Sequence, residues 1–218
     1  MNTSSLYNGK ATGYYENIRE DIINLITDRP NKILEIGCGK GYTLKKLKEL
    51  GKAGEIVGIE MDTNSAEEAK AYLDGITCCN IEEILSLPFD RGYFDYIILA
   101  DILEHLSNPW KTLRVMRDYL NEKGSIIATI PNLRHKSIVL PLILRGKFQY
   151  DPDGGLMDIT HLRFFTRESV TSLFKTSGYS KVYFVDYPIS FKARVVAVSS
   201  LGFLRDFFIP KFRVIAAK

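Results

Sequence analysis

The densest chemistry in the sequence lies at Glu35-Ile36-Gly37-Cys38-Gly39-Lys40-Gly41, where a carboxylate precedes three glycines at alternate positions. Glycine has no Cβ, so such a run turns sharply and lets backbone N–H groups lie against a ligand. Glu60 ends the next apolar run and is of the type that accepts hydrogen bonds from both hydroxyls of a ribose. A nucleotide-like ligand follows from these two features together. A dinucleotide loop of the form G-x-G-x-x-G would need its third glycine at Tyr42, so the spacing here departs from that pattern. Three histidines, His105, His135 and His161, come later and have the side-chain type that exchanges protons near neutral pH. Arg134, Lys136, Arg145, Lys147, Arg163 and Arg167 are available to form a pocket for a phosphate or carboxylate.

The elements that must position these groups follow from hydrophobic patterning. Short apolar runs alternate with amphipathic stretches, the sign of repeated βα units on a parallel sheet. Strands are predicted at Lys32–Ile36, Glu55–Glu60, Ile76–Cys79, Phe94–Leu99 and Ser125–Ile130. Helices are predicted from about Tyr42 to Leu50, from Asp62-Thr63-Asn64 to Leu73, and from Pro109 through Leu113, Met116 and Leu120. The alternation breaks between 131 and 165, where Pro141, Gly146, Pro152, Gly154 and Gly155 predict an irregular lid or binding segment. Thr166-Arg167-Glu168-Ser169 opens another helix ended by Gly178, and strands near Lys181–Asp186 and Phe212–Ala217 complete the sheet. The mixed apolar and basic stretch Val195–Phe208 is expected to pack on the sheet or to form a dimer contact, ahead of touching a membrane.

The 218 residues fit a single domain: a binding core over 1–130, a lid over 131–165, and a closing part over 166–218. Hydrophobic residues make up 45% and charged residues 25%, which excludes disordered and fibrous classes. No apolar run approaches the roughly 20 residues of a membrane span, and Met1-Asn2-Thr3-Ser4-Ser5 does not open a signal peptide. Cys38, Cys78 and Cys79 form no disulfide or metal spacing, so they are read as small buried residues in a reduced, cytoplasmic protein. A net charge of +3 is too small to imply a nucleic-acid partner. Residues 131–218 nevertheless carry 14 Lys and Arg against 6 Asp and Glu, which is compatible with an anionic acceptor near that end.

The glycine run, with its carboxylate two residues ahead of Gly37, resembles motif I of class I S-adenosylmethionine-dependent methyltransferases. The resemblance extends over nearly the whole chain. It implies a Rossmann-like, mainly parallel seven-stranded sheet with helices on both faces and an antiparallel last strand. It also implies S-adenosyl-L-methionine as cofactor and S-adenosyl-L-homocysteine as product. By the same resemblance Glu35, Gly37, Cys38, Gly39 and Gly41 would surround the cofactor, Glu60 would hold the ribose, and Met61 would pack on the adenine. Asn80-Ile81-Glu82 falls where the family has an acidic residue reading the adenine amino group, with Asn80 in place of the common Asp. Ala100-Asp101-Ile102-Leu103-Glu104-His105-Leu106 resembles motif IV, and Tyr14-Tyr15 resembles the tyrosines that cover the methionine end.

Pro131-Asn132-Leu133-Arg134-His135 and Asp158–Thr166 are similar to a bacterial and archaeal subgroup, the MetW-like and UbiG-like methyltransferases. Many of these accompany glycan biosynthesis, so a small-molecule or glycan-precursor acceptor is implied. His105 and His161 are the expected bases, and Arg134, His135 and Arg163 the expected acceptor contacts. No metal is expected, because no crowded acidic cluster is visible in the sequence. A silent cofactor-binding protein and a nicotinamide-dependent oxidoreductase are the alternatives. Monomer and homodimer are equally compatible with the sequence.

Overall fold

A computed structural model describes residues 17–152 and 154–218, so Tyr14 and Tyr15 lie outside the described residues. Seven strands form one sheet in the order β3-β2-β1-β4-β5-β7-β6. In chain order they are β1 (Asn31–Ile36), β2 (Ala53–Glu60), β3 (Gly75–Cys78), β4 (Phe94–Ala100), β5 (Leu120–Pro131), β6 (Lys181–Phe184) and β7 (Lys211–Ala217). Neighbours among β1 to β5 run parallel, while β7 is antiparallel to both β5 and β6. The chain order reverses between β1 and β4. In open α/β sheets, ligands bind outside the carboxyl ends of strands at such a switch point.

The strands are apolar because helices cover both faces. Ile33, Leu34, Ile36, Ile56, Ile97, Ile98 and Leu99 are all buried there. The helices are α1 (Glu20–Ile23), α2 (Tyr42–Glu49), α3 (Thr63–Ala69), α4 (Pro109–Tyr119), α5 (Lys136–Arg145), α6 (Arg167–Thr176) and α7 (Phe191–Ser199). Their starts follow side-chain chemistry. Asp62 caps α3 by accepting from Ser65 N–H, Asn108 caps α4 ahead of Pro109, and Thr166 and Ser169 form a capping box on α6. Among the described residues no helix is long and apolar enough to cross a membrane.

Several elements differ from the sequence reading. Helix α3 ends at Ala69 rather than Leu73, because Ala71 and Tyr72 N–H groups bond three residues back and tighten the chain. Strand β5 starts at Leu120, directly after α4. The segment 131–165 is not wholly irregular, since α5 occupies ten of its residues. Pro141 reads as a breaker, but His135 caps the start and Gly146, at φ 62°, closes the end with bonds from Gly146 and Lys147 N–H. Helix α7 rests on the turn Arg205–Phe208. It buries Ala193 and Ala197 and leaves Phe191 and Val198 exposed. Of the cysteines only Cys38 is buried; Cys78 is exposed and Cys79 half-buried.

Candidate functional site

A cavity of about 730 Å³ opens at the carboxyl ends of β1, β2 and β4, at the switch point of the sheet. Its floor is the turn between β1 and α2. Gly37, Gly39 and Gly41 take φ values of 69°, 54° and 77°, a region that side chains with a Cβ rarely enter. At Gly37 a Cβ would also lie 2.3 Å from Ile102 Cδ1, so the turn from motif I is packed directly against the stretch after β4.

Glu60 ties this turn to β2. One carboxylate oxygen accepts from Gly39 N–H at 2.8 Å, and the other accepts from Met61 and Asp62 N–H at 2.8 and 2.9 Å. A carboxylate has about four acceptor positions, so capacity for a hydroxyl remains. Burial pushes the Glu60 pKa up, while the three amide bonds oppose that shift. Glu35 is held differently. It is 3% exposed, its Oε2 has no hydrogen-bond partner among the described residues, and it lines the cavity. Burial raises its pKa to about 8, with Arg19 opposing and Glu60 adding to the rise. An orphaned buried carboxylate facing a cavity fits a ligand that brings a cation or a donor.

Most of the expected cofactor residues line this space: Cys38, Met61, Ile81 and Ala100 do so beside Glu35, Gly37, Gly39 and Glu60. Gly41 instead forms the N-cap of α2. Asn80 borders the cavity, and its Oδ1 accepts from Glu82 N–H at 3.0 Å while keeping a second lone pair. The Glu82 carboxylate accepts from Ser107 N–H and Oγ–H and from Asn108 N–H, so it fastens the turn after β4. These bonds hold its pKa below the usual carboxylate range against the effect of burial.

Asp101 sits at φ 54°, a left-handed conformation unusual for a residue with a side chain. Its Oδ2 meets Arg19 Nη1 and Lys211 Nζ, each at 2.9 Å, and its Oδ1 accepts from Thr129 Oγ1. Burial opposes ionisation, but Lys211 and Arg19 outweigh it and hold the carboxyl below its ordinary pKa. Asp101 is therefore the charged hub of the cavity wall and does more than cap a turn.

The other end of the cavity is built from the turn after β4 and the segment before α6. His105 and His161 pack edge to face with ring centroids 4.8 Å apart, and both line the cavity. Burial, helped by the neighbouring His161, lowers the His105 pKa to about 4, and burial lowers that of His161 as well. Both rings are thus neutral at pH 7. Glu104 lies beside them, 1% exposed, with neither carboxylate oxygen hydrogen-bonded among the described residues. Its backbone carbonyl accepts from Leu162 and Arg163 N–H, which locks the two segments together.

Of the basic residues that could form an anion pocket or lie as solvated charge on the lid, Arg134, Arg163 and Arg167 each find a partner elsewhere. Arg134 bonds to Phe203 O and lies over its ring, Arg163 donates to Ser107 O and stacks near Trp110, and Arg167 is paired with Asp186 and Asp206. None of the three lines the cavity. His135 is also away from it, bonded to Ser137 at the start of α5.

Residues 10–183 match the methyltransferase domain family. The chain belongs to that family. It is 28% identical over 131 residues to a malonyl-[acyl-carrier protein] O-methyltransferase of Anoxybacillus flavithermus, covering 56% of this chain and 49% of that one. It is 27% identical over 131 residues to a ubiquinone biosynthesis O-methyltransferase of Glaesserella parasuis, covering 54% and 55%. The chain thus spans about half the length of these curated relatives. A solved S-adenosylmethionine-dependent methyltransferase from Archaeoglobus fulgidus superposes with a TM-score of 0.67 at 18% identity, covering 94% of this chain and 97% of that one. One from Aquifex aeolicus gives 0.59 at 15% identity, covering 99% and 98%. The fold is the Rossmann-like class I methyltransferase fold.

Sequence reasoning missed Arg19, Thr129, Lys211 and the involvement of Glu104. Arg19 precedes β1 and Lys211 opens β7, about 190 residues apart in sequence, and no local pattern marks either as a partner of Asp101. Glu104 carried a signal, an acid next to a histidine just past an apolar strand, which gains meaning only when His161 is brought beside it.

Proposed function

We propose that this protein transfers the methyl group of S-adenosylmethionine to a small-molecule or glycan-precursor acceptor. The observation that carries the reading is the orphaned Glu35 carboxylate beside a turn of three left-handed glycines, closed over by Glu60. In this reading Glu35 faces the methionine ammonium, the free acceptor capacity of Glu60 takes a ribose hydroxyl, and Met61, Asn80 and Ile81 surround the adenine. When bound, the cofactor supplies an activated methyl carbon, and the protein's task is alignment and proton handling. Asp101, held by Arg19 and Lys211, fixes the turn that carries His105 to the methyl end. The neutral rings of His105 and His161 are then the groups able to take a proton from an acceptor hydroxyl.

Residues 131–165 form the acceptor side in this reading, and the protein works in the cytoplasm without a nucleic-acid partner. The test is calorimetric titration with S-adenosylmethionine and S-adenosylhomocysteine separately. Saturable binding of both, abolished in Gly39→Arg and weakened in Glu60→Ala, is the expected result. A folded protein that binds neither overturns the proposal and brings the nicotinamide alternative forward.

A further inference from the structure

Glu104, His105 and His161 each place a potential ligand atom within 4.8 Å of the others at the wall of the cavity. Such closeness alone is common among polar residues, but two further observations point to a ligand. The first is the Glu104 carboxylate, which is buried at 1% exposure and has no hydrogen-bond partner for either oxygen among the described residues. Burying a carboxylate without partners is costly, and in proteins such groups are paired or bound to a metal.

The second observation is how the imidazoles are oriented. Thr160 Oγ1 donates to Asp158 Oδ1 at 2.8 Å, so toward His105 Nδ1, 3.1 Å away, it acts as acceptor. Thr160 O lies 3.2 Å from the same Nδ1, and Leu156 O lies 3.2 Å from His161 Nδ1. Carbonyl oxygens accept only, so both rings carry their proton on Nδ1 and keep the lone pair on Nε2. Metal-ligating histidines are fixed in this way, with the second ring nitrogen donating to a carbonyl or carboxylate. Asp158, behind Thr160, extends that support through a hydroxyl.

We propose that Glu104, His105 and His161 form a binding site for one divalent transition-metal ion of the zinc type. Two imidazoles and one carboxylate suit an ion of intermediate softness, and three protein ligands leave open positions on the side of the cavity. Asp101 is not a ligand in this assignment, since Arg19, Lys211 and Thr129 occupy its oxygens. The site rests on the cluster alone and does not depend on methyl transfer; with the ion bound both Nε2 lone pairs are taken, so the two rings act as proton acceptors only in the metal-free protein.

The experiment is equilibrium dialysis of the metal-free protein against zinc, with metal analysis and competition by a chelator of known affinity. One equivalent of zinc is expected to bind, in the absence of S-adenosylmethionine. His161→Ala and Glu104→Gln are each expected to weaken it by at least about tenfold. His135→Ala, which alters a histidine outside the cavity, is expected to leave it unchanged. Cobalt in place of zinc is expected to give visible absorption bands that are lost in His161→Ala, even if Glu104→Gln fails to fold. Absence of stoichiometric zinc binding, or equal binding by folded His161→Ala, overturns the assignment.

Discussion

Binding of S-adenosylmethionine near neutral pH is expected to expel a proton from Glu35. Burial raises the Glu35 pKa to about 8 in the free protein, so roughly 0.9 of a proton is bound at pH 7, one pKa unit being a factor of ten. A cation within about 4–6 Å typically lowers a carboxyl pKa by about 1–3 units. A fall of about 2 units would leave roughly 0.1 of a proton, so about 0.8 is released on binding. The same linkage makes affinity rise by about 25-fold between pH 6 and 8, within a total of about 100-fold from acid to alkaline limits.

For the free protein the sign is opposite. The folded pKa lies above the ordinary value of 4.5, so the stability contribution is complete below that value and lost as pH rises to about 8. The assay is calorimetry at pH 7 in two buffers of different ionisation enthalpy, repeated with Glu35→Gln. The variant is expected to bind less tightly, to show no buffer dependence, and to unfold at a higher temperature than the parent at pH 8. Identical heats for the parent protein in both buffers would refute the reasoning, because Glu35 would then not change protonation on binding.

Gly37→Ala is expected to cost at least about 1–2 kcal/mol from the left-handed backbone, with the terminal methyl of Ile102, 2.3 Å from the new Cβ, forced to move, measured by denaturant unfolding. Asp101→Asn leaves Arg19 and Lys211 without their shared carboxylate and is expected to lose about 1–3 kcal/mol at pH 7. Because the Asp101 pKa is depressed, this loss should vanish as the solution is acidified through its folded-state value, which a pH series of unfolding curves tests. Arg167→Met removes the ion-pair partner of the buried Asp206 and one of two partners of Asp186, which keeps Arg205, and is expected to destabilise by up to about 3–5 kcal/mol while leaving cofactor affinity unchanged.

The sequence by itself determined the βα alternation, the strand cores, the capping residues of α3 and α6, and the glycine turn and strand-end acid that line one side of the cavity. These are local facts. A glycine run, an acid at a strand end and a hydrophobic period are each written within a few residues, because the backbone geometry they impose is local. The antiparallel closing strand was legible only through the family resemblance. Helix α5 was hidden because Pro141 reads as a stop, and the stop is overcome by a cap and a closing glycine at the two ends. The dispersal of the basic residues was hidden because each arginine's partner, Phe203, Ser107 or Asp206, is distant in sequence. The tertiary structure alone decided that Arg19, Asp101 and Lys211 meet, and that Glu104 and His105 face His161. Charge pairing and ligand clustering depend on distances across the sheet, and those distances exist only once β7 has paired with β5 and the segment before α6 has bonded to the turn after β4.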